Sequence, residues 1–333
     1  MEEVAYLFNG DFEKVLFSKK QKIMASSKET QEFESFIAYL DPHKHIFTTK
    51  KESISFLENF SLITGESYLT CNKAKEIIPW CSDYGNVETL LFLQDKVQTI
   101  KFLKENKLIE HHAEILSPGD VLKEDFLYKD PYSLSGMGHY SYPLHEKRIQ
   151  KLLRINNPII EEELLNRTED FSHLIDHNKV VCKYINYVDD YFQYKGTYIT
   201  DDFEWESSLD ERMKSALALI LNYTSKHSGP MSIDGFLFEK DGIKSIHPCC
   251  EINARKTMGY FAYHFKERYY PDFKHFKILL HRNSRQINSY EYFKDKNVNL
   301  LSPLDNRFYV FSLAVKSSEE MKNMEYELFS TFF

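Results

Sequence analysis

The stretch Ile233-Asp234-Gly235-Phe236-Leu237-Phe238-Glu239-Lys240-Asp241-Gly242-Ile243-Lys244-Ser245-Ile246-His247-Pro248-Cys249-Cys250-Glu251-Ile252-Asn253-Ala254-Arg255 carries the most information in this chain. Asp-Gly between two apolar runs is a strong β-hairpin signal. With a two-residue turn, Lys240 faces Ile243, and counting back puts Asp234 opposite Cys249. Opposed residues of an antiparallel pair point to the same side, and side chains alternate along each strand. Asp234, Glu251 and Asn253 therefore share one face. A four-residue loop keeps this parity, a three-residue loop breaks it, and Pro248 is a place for a bulge. Two carboxylates and an amide oxygen suit Mg²⁺, a hard cation that completes its octahedron with phosphate oxygens and water. Arg255, two residues beyond Asn253, shares that side and can grip a phosphate bidentately. For the hairpin alone, the competing reading is a solvent-facing ribbon whose Asp and Glu only keep it soluble.

Upstream, the strand-like Asp125-Phe126-Leu127-Tyr128-Lys129 runs into Asp130-Pro131-Tyr132-Ser133-Leu134-Ser135-Gly136-Met137-Gly138. Pro and two Gly make this a loop, and its small residues let backbone amides approach phosphates beside the Lys129 ammonium. Such turns are common, and G-x-x-x-x-G-K-[ST] is absent. Apolar residues recur at helical spacing from Val87 to Asn106, with a break expected near Gln94-Asp95. Residues 161–167 read as a helix. Lys179-Val180-Val181-Cys182-Lys183-Tyr184-Ile185 reads as a buried strand, with a turn following at Asn186. Ser207-Ser208 with Glu211 resembles a capping box for the helix carrying Met213, Ala216, Leu217, Ile220 and Leu221. Near the N-terminus, Val4-Ala5-Tyr6-Leu7-Phe8 reads as a strand ending at Asn9-Gly10. From about His264 onward the chain is rich in Tyr, Phe and Lys and shows no chemical motif.

The 333 residues allow two or three domains. With 42% hydrophobic and 28% charged residues the chain should fold rather than stay disordered. A formal charge of -8 gives no general attraction to nucleic acid or anionic membrane. The five cysteines form no metal-ligand spacing and cannot all pair, which fits a reducing compartment. No secretory signal and no apolar run of the roughly 18 residues a span needs is present, so the expected location is cytoplasmic, with no membrane and no nucleic-acid partner. His111, His112 and His264 are weak candidates for ligands or bases, and Cys249-Cys250 read better as small core residues than as a thiol nucleophile.

In combination and in order, these segments resemble the ATP-grasp superfamily of carboxylate-amine ligases and carboxylases. Asp95-Lys96-Val97 resembles the pair that opens its nucleotide domain. Lys129 with Ser133, Ser135, Gly136 and Gly138 stands where the second lysine and the Gly-rich lid stand. Residues 180–185 resemble the adenine-lining strand and hinge, with Cys182 where the family often has Glu. Asp234 and Glu251-Ile252-Asn253-Ala254-Arg255 match the Asp and the Glu-x-Asn-x-Arg signature. The resemblance runs from about Asp95 to Gly259, roughly half the chain.

The resemblance implies an α+β fold in which an N-terminal α/β domain (1–94) precedes the first ATP-grasp part with its lid (95–185) and a C-terminal antiparallel-sheet part (186–333), ATP being sandwiched by lid and sheet. It implies an ATP-dependent ligase that makes ADP, phosphate and a new carbon–nitrogen bond from a carboxylate and an amine-type acceptor. Lys96, Lys129, Ser133, Ser135, Gly136, Gly138, Cys182, Lys183, Tyr184, Ile185 and Asp189 would contact nucleotide, with Asp190 a second candidate for the ribose. Asp234, Glu251 and Asn253 would hold Mg²⁺, or Mn²⁺ in its place, and Arg255 and Lys129 would act in the chemistry. A small-molecule kinase and a non-catalytic nucleotide-binding protein are the competing functions. Oligomeric state is left open, a homodimer included.

Overall fold

The computed structural model describes residues 2–10, 16, 28–48, 50–81, 86–133, 138–155, 158–190, 192–283, 287–294 and 296–332. The chain forms two compact units.

One unit comprises Met1–Gly85, Lys195–Phe203 and Lys256–Phe333. Its first sheet is parallel. The strands β1 (Glu2–Leu7), β2 (His45–Phe47), β3 (Thr70–Cys71) and β4 (Ala74–Pro79) lie in the order β3-β2-β1-β4. The chain fills one side of β1 with β2 and β3 and then crosses to the other side for β4. The helices α1 (Lys28–Gln31), α2 (Ser35–Leu40) and α3 (Ile54–Thr64) connect these strands. Ser53 caps α3 through Phe56 N, and Gly65, at φ 74°, ends it.

Later segments of the chain complete this unit. Four antiparallel strands, β11 (Tyr194–Thr200), β14 (His275–Arg282), β16 (Phe308–Val315) and β15 (Val298–Leu300), run side by side in that order. Two further helices, α8 (Met258–Tyr269) and α9 (Ser318–Phe332), belong to it. From the aromatic-rich C-terminal segment, Phe265, Phe276, Tyr309 and Phe311 enter the core, while Tyr326 and Phe329 are exposed.

The other unit comprises Asn86–Tyr194 and Glu204–Arg255. A small antiparallel sheet holds β5 (Ala113–Leu116), β8 (Ile159–Glu163), β6 (Phe126–Lys129) and β7 (His139–Ser141) in that order. A second group of antiparallel strands has the order β13-β12-β9-β10, from β9 (Asn166–Asp176), β10 (Lys179–Val188), β12 (Met231–Lys240) and β13 (Ile243–Asn253). The helices are α4 (Val87–Gln94), α5 (Lys96–Glu105), α6 (Glu146–Arg154) and α7 (Ser207–Tyr223). The expected break at Gln94-Asp95 is present, because Asp95 turns out of α4 and its carboxylate accepts from Val97 N at 2.9 Å to start α5.

Four local expectations need correction. Residues 161–167 are not a helix, since they supply the end of β8 and the start of β9. Their Glu and Leu favour a helix in isolation, but β8 pairs with β5 and β6 on both sides and its carboxylates have partners. Glu161 accepts from Lys123 Nζ at 3.0 Å and from Tyr128 Oη at 2.9 Å. Strand β10 is not buried throughout: Val180 and Val181 are exposed and Tyr184 is its one buried side chain. No turn occurs at Asn186, which pairs with Asp170 inside the strand. Ser207 does not cap α7, whose N-cap is Glu206 with no side-chain cap bond.

The hairpin forms as expected at its tip. Lys240 faces Ile243, with Asp241 at φ 53° and Gly242 at φ 74°, the positive values a type I′ turn requires. Farther in, the register shifts between Asp234 and Phe236, so that Phe236 opposes His247 while Asp234 opposes Glu251 rather than Cys249. Two extra residues are absorbed by β13 around Pro248, and an even shift preserves the face. Gly235 sits at this point. A Cβ there would lie 2.5 Å from Phe171 Cζ and 2.6 Å from the His247 carbonyl oxygen. Gly235→Ala is therefore expected to lower the unfolding free energy by about 2–3 kcal/mol, since a backbone carbonyl cannot swing aside. A urea unfolding midpoint unchanged from wild type would show that the bulge relaxes freely.

No helix among the described residues is long and apolar enough to cross a membrane.

Candidate active site

The cross-strand register builds a polar face. Glu251, Asp234, Ser172 and Tyr184 form one row across β13, β12, β9 and β10, and Asn253, Ser232, Leu174 and Cys182 form the next. Opposed residues share a side, so both rows point the same way. Asp234 is the hub. It accepts from Ser172 Oγ at 2.6 Å, Ser232 Oγ at 3.2 Å and Asn253 Nδ2 at 2.8 Å. Asn186 Nδ2 donates to Ser172 Oγ at 2.5 Å, and Arg255 Nη2 donates to Asn253 Oδ1 at 3.3 Å. Burial, reinforced by the neighbouring Glu251 carboxylate, pushes Asp234 up to about 6. Two carboxylates thus face each other across a strand pair.

Asp95 capping α5 puts Lys96 in its first turn, buried, with Nζ 3.0 Å from Glu251 Oε1 and donating to the Ser133 carbonyl at 2.7 Å. Lys96 so joins the acidic rim to the loop after β6, and it is not an exposed helix lysine. The loop base is fixed by Asp130 N donating to the Gly138 carbonyl at 2.9 Å and by Ser133 Oγ donating to the Asp130 carbonyl at 2.8 Å. Ser135 and Gly136 lie outside the described residues.

Lys129, at the end of β6, is buried and forms an ion pair with the buried Glu162 of β8. Burial alone would raise Glu162, but the Lys129 ammonium outweighs it and holds this carboxyl below its ordinary range. The pair borders the same face: His111, whose imidazole feels Glu162 and Lys129, lies 4.8 Å from His247 in the row beyond Asp234. Burial keeps both imidazoles neutral by lowering them, His247 far below its usual value. Cys249 and Cys250 remain thiols, because burial raises both, Cys250 to about 11. Neither is an activated nucleophile.

The four consecutive residues expected at the nucleotide separate by strand alternation. Cys182 and Tyr184 share the face of Asp234, whereas Lys183 and Ile185 point to the other side. There Lys183 Nζ sits 3.3 Å above the Trp205 ring, and burial brings it down to about 8. Asp189 accepts from Gln193 N at 2.9 Å in the turn after β10. Burial along a strand, expected at 180–185, is instead the property of β8, where residues 159–162 are buried. Sequence reading passed over Ser172, Ser232, Asn186 and Glu162. For Ser172 and Asn186 only the register could reveal a role, since they are distant in sequence from the hairpin.

No family model matches the sequence, and no curated protein matches it. Solved structures do match. An L-amino acid ligase from Bacillus licheniformis is 10% identical, covering 99% of this chain and 97% of its own, with a TM-score of 0.58. N5-carboxyaminoimidazole synthetase from Staphylococcus aureus, solved with ADP, is 11% identical over 98% and 97% of the two chains at 0.55. The fold is that of the ATP-grasp enzymes. A third such structure, N5-carboxyaminoimidazole synthase from Aspergillus clavatus with ADP and 5-aminoimidazole ribonucleotide, is 11% identical over 99% of each chain at 0.53. Identities this low speak to the fold alone. The α+β ATP-grasp architecture expected from Asp234 and the Glu-x-Asn-x-Arg signature thus holds, and it extends beyond the half of the chain in which the resemblance could be read.

Proposed function

We propose that this chain is an ATP-dependent ligase that phosphorylates a substrate carboxylate and joins the activated acyl group to an amine, releasing ADP and phosphate. The observation that carries the reading is the row of Asp234 and Glu251 with Asn253 and Arg255 on one sheet face, tied through Lys96 to the loop after β6. The names of the structural neighbours, a ligase and two carboxyaminoimidazole enzymes solved with ADP, support the same class.

The residues fit Mg²⁺. Asp234 and Glu251 oppose each other directly, and Asp234 is raised by burial and by the Glu251 carboxylate beside it, both of which a bound cation would offset. Among the described residues no group of three or more His, Cys, Asp or Glu gathers to hold a metal; the set that would hold it is Asp234 and Glu251 with the Asn253 amide oxygen. Such an ion, when bound, neutralises phosphate oxygens as charge develops on them. The protein's own groups supply the rest. Lys96 and Lys129 place ammonium charge beside the phosphates, and Arg255 steadies the oxyanion formed when the amine attacks. Cys182 and Tyr184, on the sheet face of Asp234, would meet the nucleotide.

The reading is tested by incubating the full chain with Mg-ATP and pooled amino acids, peptides and small carboxylic acids, following ADP. Release of ADP and phosphate with a new amide is the expected result. ADP with a stable phosphorylated product would make the protein a kinase, and Mg-ATP binding without ADP from any pool would make it a binding protein.

Metal affinity should follow pH. The metal needs Asp234 ionised, so its affinity should fall by up to about tenfold per unit as pH drops below about 6. In the metal-free protein the raised Asp234 contributes stability that is full below the unfolded value near 4 and lost as pH rises through 6. Thermal unfolding with and without Mg²⁺ should therefore diverge above pH 6. Equal stabilisation at pH 5 and pH 7.5 would place the metal elsewhere.

A further inference from the structure

The unit built on the parallel sheet contains a cavity of about 480 Å³, a volume suited to a small molecule. Its position follows from topology. In the order β3-β2-β1-β4 the chain reverses direction of growth between β1 and β4, and open α/β sheets bind ligands at the carboxyl ends of strands at such a switch point. Tyr6, near the carboxyl end of β1, and Trp80, just beyond β4, both line the cavity. Trp80 is pinned there by its N–H donating to the Leu7 carbonyl at 2.8 Å.

The opposite wall is one face of α8, because Tyr260, His264, Glu267 and Arg268 recur at helical spacing and all line the cavity. The wall is held firmly. Tyr269 Oη donates to the Tyr39 carbonyl at 2.6 Å, and Phe261 stacks on Phe36 at 4.9 Å. Asp41, the C-cap of α2, completes the lining on that helix's side. Lys256 enters beside Trp80, its N–H donating to the Cys81 carbonyl at 3.2 Å and its Nζ lying 4.2 Å from the Trp80 ring centre.

In the lining, Lys256 and Arg268 stand against Asp41 and Glu267, and Glu267 also pairs with Lys266 Nζ at 3.4 Å. A site for a phosphomonoester would carry an excess of cations, since the dianion needs both neutralised. Equal acids and bases around aromatic walls of Tyr6, Trp80 and Tyr260 suit a molecule with one ammonium, one carboxylate and an apolar body.

We propose that this switch-point cavity binds a free α-amino acid or short peptide with an apolar or aromatic side chain. Lys256 and Arg268 receive its carboxylate end and Asp41 and Glu267 its ammonium. That the bound molecule is the substrate of the ATP-dependent reaction rests on the function proposed above. Its binding does not.

The chain has two tryptophans, Trp80 and Trp205, so Trp205→Phe leaves Trp80 as the sole reporter within the cavity. The twenty L-amino acids and a set of apolar dipeptides would be titrated without nucleotide, with calorimetry on the unaltered chain alongside. The expected result is a saturable change in Trp80 emission with at least one of them, weakened at least about tenfold by N-acetylation or C-amidation of the ligand. Asp41→Asn should abolish the penalty for N-acetylation and Arg268→Gln that for C-amidation. No response to any amino acid or dipeptide from a chain that binds Mg-ATP would overturn the inference, as would tighter binding of inorganic phosphate or 5-aminoimidazole ribonucleotide. A Trp80 response without ADP release in any pool would count against the ligase and leave the pocket standing. ADP release driven by a molecule that leaves Trp80 silent would do the reverse.

Discussion

Replacing Glu251 by Gln is expected to lower ADP release by at least about a thousandfold while leaving the unfolding midpoint close to wild type. Glu251 directly opposes Asp234 at the centre of the proposed metal set, so the amide removes one of two formal charges there. The fold should tolerate it. Glu251 is partly solvent-exposed, and its partner Lys96 keeps the Ser133 carbonyl as a second acceptor at 2.7 Å. Steady-state ADP release together with a thermal melt separates the two effects. Turnover within a few-fold of wild type would remove Glu251 from the chemistry, and a melt lowered in parallel with turnover would make the loss one of folding.

Lys129→Met is expected to cost about 3–5 kcal/mol of stability and to weaken nucleotide binding, because it leaves the buried Glu162 carboxylate without its ammonium. The pH dependence carries the signature. In the wild type Glu162 is held below its ordinary range, so its contribution is present above the unfolded value near 4.5 and lost as pH falls through the lower folded value. In the variant burial, the largest influence on Glu162, loses its main counterweight and raises it. Stability should then decline as pH rises above about 4.5. Lys129→Met with Glu162→Gln should recover much of the stability but not the nucleotide affinity. Urea unfolding between pH 4 and 8 checks the sign, and a single variant as stable at pH 7 as wild type would show that the pair contributes nothing net.

What could be read from the chain divides along the range of the interactions involved. Asp241-Gly242 sets its turn through two backbone conformations, and the face shared by Asp234, Glu251 and Asn253 follows from strand alternation, so both were legible. The partner of Asp234 was not. The register shift around Pro248 is decided where Gly235 lies against Phe171 and His247, a packing constraint that no local residue preference encodes. Asp95 beginning a helix at Lys96 was legible as a break in periodicity, because a cap is a contact two residues long. That Lys96 would reach Glu251 was expected only through family resemblance.

The failures have the same origin. Residues 161–167 carry helical preference worth tenths of a kcal/mol per residue, and pairing of β8 on both edges outweighs it once Lys123 and Lys129 pair with the buried carboxylates and Tyr128 donates to Glu161. Val180 and Val181 read as buried because β-branched runs fill sheet interiors, yet they sit on the exposed end of β10. Signals a few residues long carry the hairpin turn, its acidic face and the helix break before Lys96, and their order along half the chain carries the ATP-grasp resemblance. Long-range packing brings Asp234 to Glu251, sets Ser172 and Asn186 behind it, pairs Lys129 with Glu162 and lines one cavity with Trp80, Tyr260 and Asp41. Those contacts join segments far apart in the chain, and their energies exist only once the packing that creates them has formed.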